Sequence, residues 1–117
     1  MRILLNLLIV LSLAGCAGTS PEPDKSVALA NDNGKQAYMD YCAGCHETGM
    51  FNAPIAGDAQ YWEGRSTLWQ AVLMEHAKTG YFDMPAKGSR PDLPDETIDA
   101  ATEYMLSITF PDLPRDR

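Results

Sequence analysis

The sequence predicts an all-α domain: three main helices whose long connections wrap a central body that the chain itself does not supply. Three observations carry this expectation. Apolar residues recur at helical intervals in three stretches, and no stretch alternates with a period of two. Between them lie glycine- and proline-bearing segments, 47–64 and 81–94, too long for a compact domain unless they pack on something. The folded part covers roughly residues 33–113, and a chain that short usually needs a disulfide, a metal or a cofactor.

With 117 residues the chain is one domain. Its hydrophobic fraction of 45% is globular and too high for a disordered chain. Lys+Arg 9 against Asp+Glu 16 gives a net charge of −7, which repels phosphate backbones and argues against nucleic acid as a partner. Three cysteines and two histidines remain to be placed, and an odd cysteine count asks where each sulfur goes.

Residues 1–15 read as a secretory leader: Arg2, an apolar run from Ile3 to Leu13, then small residues Ala14 and Gly15. The run is too short to span a bilayer. Leu13-Ala14-Gly15-Cys16 resembles the lipobox of bacterial lipoproteins, which implies cleavage before Cys16 and acylation of its thiol. Several acyl chains on one residue anchor a protein stably, where a single chain does so marginally. The expected location is the periplasmic side of a bacterial membrane, and by resemblance to enterobacterial lipoproteins Ala17, in place of Asp, would favour the outer one. Residues 16–33, with Gly, Ser, Pro and Asn and no apolar period, read as the lipidated N-terminus and a flexible tether. Loss of Arg2 moves the charge to about −8. The domain proper is then 34–117, including a short C-terminal tail.

The first helix is expected over about 34–45, from Gly34, Ala37, Tyr38, Tyr41, Cys42 and Cys45, with Asn31, Asp32 or Asn33 as its cap. The second fits Ser66–Thr79. Ser66 caps it, Leu68, Trp69, Val72 and Leu73 form one face, and Gly80 stops it. The third fits about 95–108, with a stripe of Ile98, Ala101, Met105 and Ile108. Asp95 and Glu96 suit its N-terminal dipole, and Pro111 and Pro114 end regular structure.

Residues 42–46 read Cys42-Ala43-Gly44-Cys45-His46, the C-x-x-C-H signature of c-type haem attachment. On a helix end, two cysteines three apart point the same way, and each can add to one vinyl group of a porphyrin. The histidine that follows then falls beneath the iron. One such motif implies one covalent haem c, and the haem is the missing central body. Three other readings of the motif fit less well. A thioredoxin-like C-x-x-C needs a βαβ context that this chain lacks. A structural zinc needs four ligands, and the adjacency of Cys45 and His46 makes tetrahedral closure awkward. A Cys42–Cys45 disulfide would close a tiny loop and stabilise little.

The sixth ligand has several candidates. His76 sits near the end of the second helix and reads as an edge residue. Met39 and Met105 read as helix residues, Met50 follows His46 too closely, and Met74 lies off the apolar stripe. Met84 is followed by Pro85 in the loop between the second and third helices, from which a thioether can approach the far side of the iron. The plain alternative is that Met84 fills core. His46/Met84 coordination favours ferrous iron, raises the potential and leaves no open position.

With these residues in place, the chain resembles the class I c-type cytochromes, and among them the short bacterial cytochrome c-five type, over about residues 33–108. The resemblance rests on Gly34 and Tyr38 before Cys42, then Thr48-Gly49, Ala53-Pro54, Gly57-Asp58 and Trp62. Met84-Pro85-Ala86-Lys87-Gly88 and a last helix with Ala100-Ala101 and Tyr104-Met105 complete it. It implies the class I cytochrome c fold, with the first helix crossing the last against Tyr104. It also implies that Pro54 offers its carbonyl to His46, fixing the tautomer. Trp62 and Arg65 would lie near the haem propionates, with Arg65 able to pair with a carboxylate. Some family members carry a further cysteine pair after the methionine loop; here Ser89-Arg90-Pro91-Asp92-Leu93-Pro94 stands instead. Prolines would then supply the stiffness of that loop.

The expected function is membrane-tethered one-electron transfer by a protein that is not an enzyme. The resemblance implies partners such as a quinol:cytochrome c oxidoreductase and a terminal oxidase or reductase, met through an acidic surface. The alternative is a haem-based ligand sensor or peroxidase-like enzyme in which Met84 leaves the iron.

Overall fold

The computed structural model describes residues 25–65 and 70–112. Helix α1 runs Lys25–Tyr41, α2 Ala43–His46, α3 Gln70–Thr79 and α4 Asp95–Thr109, with single 3-10 turns at Met50–Asn52, Ala59–Trp62 and Ala86–Ser89. Among the described residues there is no strand; the nearest approach is one antiparallel bridge between Tyr81 and Met84. The all-α expectation holds.

Helix α1 begins at Lys25, not at Gly34, so residues 25–33, read above as tether, are helical. The string Asn31-Asp32-Asn33-Gly34 has the residues that start helices. Here they lie inside one, because Gly34 is required by packing rather than by a helix end. A Cβ on Gly34 would sit 2.5 Å from the carbonyl oxygen of Ala100 and 3.3 Å from the Cβ of Tyr104. One turn on, Tyr38 is buried and packs on Tyr104, ring centroids 5.5 Å apart at 47°. Ala37, Ala43, Trp62, Ala101 and Met105 complete this core. The Tyr38 hydroxyl is buried with no partner among the described residues, and burial, with Glu47, Cys42 and Tyr104 adding to it, pushes its pKa up to about 12.

Of the expected apolar faces, Ser66, Leu68 and Trp69 lie outside the described residues. Val72 is 38% exposed and Ile108 40%, so neither joins the core as expected. Thr102 and Thr109 are buried on α4 instead, each donating its hydroxyl to a carbonyl one turn back, Ile98 at 2.8 Å and Met105 at 2.7 Å. A second small core gathers Ala77 of α3 with Leu93 and Ile98. Gly80 ends α3 with φ +89, as expected of a stop.

Gly34→Ala should destabilise the protein by about 2 kcal/mol, because the clash is with backbone and exceeds the ~1 kcal/mol that alanine gains in a helix. Denaturant midpoints of the haem-loaded protein measure it. A variant as stable as wild type would mean that the crossing is not as close as described.

Candidate haem site

The end of α1 delivers the site. The Cys42 amide bonds the Tyr38 carbonyl at 2.9 Å, after which the chain breaks at Cys42 (φ −117, ψ −35) and resumes as α2. The amides of Cys45 and His46 both close on the Cys42 carbonyl, at 3.2 and 3.0 Å. Both sulfurs and the imidazole therefore belong to one tight turn rather than to the continuous helix expected. Both cysteines are free thiols, half-buried. Burial, then Cys45, pushes the Cys42 thiol up to about 11, so it is no reactive thiolate of the thioredoxin kind.

His46 is buried, and two bonds from the following loop fix it. Its Nδ1–H donates to the Pro54 carbonyl at 2.8 Å, and its own carbonyl accepts from the Ala56 amide at 2.7 Å. Because a carbonyl only accepts, the proton is on Nδ1 and Nε2 carries the lone pair. Burial holds the His46 pKa below its ordinary value; the Pro54 bond opposes this and the Arg65 charge adds to it. The ring is thus a neutral imidazole with one nitrogen aimed by the protein and the other open to a metal.

Trp62 stacks beside His46, centroids 6.4 Å apart at 17°, and its indole N–H donates to the Ile55 carbonyl at 2.9 Å. Phe110, just past α4, meets Trp62 edge-on at 6.4 Å. The loop is tied to α4 a second time: the Gly57 amide donates to the Thr109 hydroxyl oxygen at 2.9 Å. Arg65 is exposed, bonds the Tyr61 carbonyl at 2.6 Å, and lines, with Trp62 and Phe110, a surface cavity of ≈ 380 Å³.

Met84 is half-buried and packs against the second core of Ala77, Leu93 and Ile98. Tyr41 touches both cores. Met84 sits at the base of a turn in which it and Tyr81 exchange backbone bonds of 2.9 and 2.9 Å. The loop beyond is fixed by Lys87, which donates to the Leu93 carbonyl at 2.8 Å and pairs with Asp95 at 2.6 Å.

The structure thus brings Cys42, Cys45, His46, Pro54 and Trp62 together, with Arg65 at the rim and Met84 in the neighbouring core. Cys16 lies outside the described residues. Ile55, Phe110 and Thr109 carry no signal of the site in the sequence, and Tyr41 reads there only as a helix residue. Thr109 and Gly57 are 52 residues apart and of types that signal nothing alone. The donor set fits a covalent haem: two unpaired thiols on one turn beside a neutral, oriented imidazole. Zinc fares worse, since among the described residues no three His, Cys, Asp or Glu side chains are placed to share a metal ion.

Fold and site together define a haem-carrying domain of the electron-transfer kind. The family model described as "Cytochrome C oxidase, cbb3-type, subunit III" matches residues 29–105. Cytochrome c-555 of Prosthecochloris aestuarii is 37% identical over 83 residues, covering 64% of this chain and 84% of that one. Cytochrome c5 of Azotobacter vinelandii is 34% identical over 78 residues, covering 65% and 94%. A chain in the crystal structure of an electron transfer complex of nitrite reductase with cytochrome c superposes with a TM-score of 0.59 at 30% identity, covering 66% and 94%. The chain belongs to the class I c-type cytochromes: a monohaem protein with one covalent haem c that transfers electrons and is not an enzyme.

The Asp95 carboxyl lies below its ordinary range, chiefly through its bond from Lys87 and then that charge. A depressed carboxyl stabilises fully above its unfolded value, about 3.9, and loses that contribution as pH falls through the folded value. Asp95→Asn should therefore be slightly less stable than wild type at neutral pH, and the two should converge as the pH falls through the folded value of the Asp95 carboxyl. Unfolding midpoints across an acid titration check this; a gap that persists in acid counts against the Lys87 pair.

Proposed function

We propose that this cytochrome is a lipid-anchored, one-electron carrier whose haem iron is held axially by His46 and Met84. The observation that carries the reading is His46, with Nδ1 committed to Pro54 and Nε2 left as a lone pair. Met84 supports it from the other core, on a turn held by backbone bonds at both ends. When bound, the haem cycles between ferric and ferrous iron, and a thioether ligand favours the ferrous form.

The chain's own residues keep that centre dry and still. Trp62 shields the His46 ring, and Pro54 stops it rotating, so little has to rearrange as an electron arrives or leaves. Arg65, with donors beyond the one given to Tyr61, would pair with a propionate carboxylate, and Trp62, its N–H taken by Ile55, would contribute packing.

Cys16 would carry the lipid on the periplasmic side of a bacterial membrane, the outer one by the identity of Ala17. With α1 starting at Lys25, only residues 16–24 separate the lipid from the domain, a reach of at most about 30 Å. The acidic chain would meet basic docking patches on its partners. A quinol:cytochrome c oxidoreductase as donor and a terminal oxidase or reductase as acceptor fit this reading, and the similarity to a chain from a nitrite reductase–cytochrome c complex supports the reductase side.

Met84→Leu should lower the reduction potential and abolish the methionine–iron charge-transfer band at the red edge of the ferric spectrum; persistence of both would remove Met84 from the iron. Cys16→Ser should move the protein from the membrane to the soluble fraction, and continued membrane retention would overturn the anchor. Slow carbon monoxide binding by the native ferrous protein separates the carrier from the ligand sensor, which would bind it rapidly.

A further inference from the structure

The site leaves His76 unused. It lies in the last turn of α3, half-buried, and its ring is flat against Tyr81, centroids 3.9 Å apart at 7°. Tyr81 lies outside the helix. Between the two residues the chain reverses at Gly80, whose amide closes on the His76 carbonyl at 2.8 Å. The reversal is tight: a Cβ on Gly80 would sit 3.0 Å from the Ala86 nitrogen and 3.2 Å from the Met84 oxygen.

Tyr81 also begins the turn that carries Met84. The two residues exchange both backbone hydrogen bonds, so only Phe82 and Asp83 form the tip. That tip is not self-supporting. Phe82 has φ +49, a left-handed conformation that costs energy in any residue but glycine. It is also 91% exposed, with an edge contact to Tyr81 at 4.5 Å. A two-residue turn with positive φ at its first position favours glycine there, and with Phe82 in that place it opens readily unless held from outside. The His76 ring on Tyr81 is such a hold.

We propose that His76 is a positioning residue: by stacking on Tyr81 it keeps the Met84 turn closed, and so keeps the thioether on the iron. The inference rests on Met84 being the sixth ligand. The stack sets how often the turn opens. An external ligand reaches the iron only in the open state, so its apparent affinity rises in proportion to the open fraction. Loss of one aromatic stack should raise that fraction on the order of three- to tenfold.

The test compares His76→Ala, His76→Phe and Met84→Leu in the haem-loaded, full-length protein. Imidazole binding to the ferric form is followed by its Soret shift, and the turn itself by hydrogen exchange at the Tyr81 and Met84 amides. His76→Ala should bind imidazole about three- to tenfold more tightly and exchange those amides faster by a similar factor. His76→Phe, which keeps a flat ring on Tyr81, should restore both to within about twofold. Unchanged imidazole affinity in His76→Ala overturns the proposal, whether or not exchange quickens, and so does failure of His76→Phe to rescue. If Met84→Leu retains the charge-transfer band while His76→Ala still speeds exchange, the stack holds the turn but the ligand reading has failed, and the gating role falls with it.

Discussion

The close approach of α1 to α4 at Gly34 governs where everything else in this cytochrome can be. With no Cβ at residue 34, the helix backbone settles onto the Ala100 carbonyl, and Tyr38 is brought against Tyr104. One turn further along α1, the chain reaches Cys42, so the position of both thiols and of His46 is inherited from the crossing. The far end of α4 holds the opposite side of the same site: Thr109 ties down Gly57, and Phe110 closes on Trp62. One helix thus anchors both the turn that bears the imidazole and the loop that orients it. A displaced crossing would shift the thiols relative to the Pro54 carbonyl, and the His46 bond at 2.8 Å has little slack to absorb that.

The two small cores divide the work. His46 stands with Trp62 against the first, and Met84 packs on the second; Tyr41 touches both, under the Arg90 guanidinium at 5.1 Å from its ring. Neither core is large, which is why a domain of this length depends on a covalent cofactor for its body. The unpaired hydroxyl of Tyr38 shows the same economy. The ring is needed against Tyr104, and its oxygen is carried into the interior without a partner among the described residues.

What the sequence disclosed, and what it hid, follows from the range of the interactions involved. The C-x-x-C-H motif, the extent of α4 and the Gly80 stop are set by neighbours in the chain and were legible, whereas the break of α1 at Cys42 was not. Pro54 was found through resemblance, since nothing near residue 54 announces that its carbonyl will face residue 46. The start of α1 was misplaced because Asn31-Asp32-Asn33-Gly34 has the local chemistry of a helix cap, and tertiary contact overrode it. Val72 and Ile108 were assigned inward by type and found exposed, while Thr102 and Thr109 were passed over as polar. A threonine inside a helix can satisfy its own hydroxyl one turn back and then be buried at little cost, which apolar periodicity does not register. The strained backbone of Phe82 leaves no trace in sequence, because it is imposed by the turn that Gly80 and Tyr81 begin.

The methionine loop shows how the chain manages without the extra cysteine pair of some relatives. A disulfide would limit the unfolded loop at any ionic strength. Here the restraint is distributed over contacts of different kinds. Lys87 reaches both the Leu93 carbonyl and Asp95, Arg90 pairs with Asp92 at 3.0 Å, and prolines stand at 85, 91 and 94. The ion pairs are solvent-exposed on their acidic side, so salt weakens them, whereas the prolines and the buried Leu93 side chain are indifferent to it. Rising ionic strength would therefore loosen the outer part of the loop, residues 87–95, before it reached the Met84 turn. That turn is closed by its own two backbone bonds, and the His76 ring lies flat on Tyr81 beside it. The Lys87 and Arg90 pairs thus respond to salt, and the backbone bonds that close the Met84 turn do not.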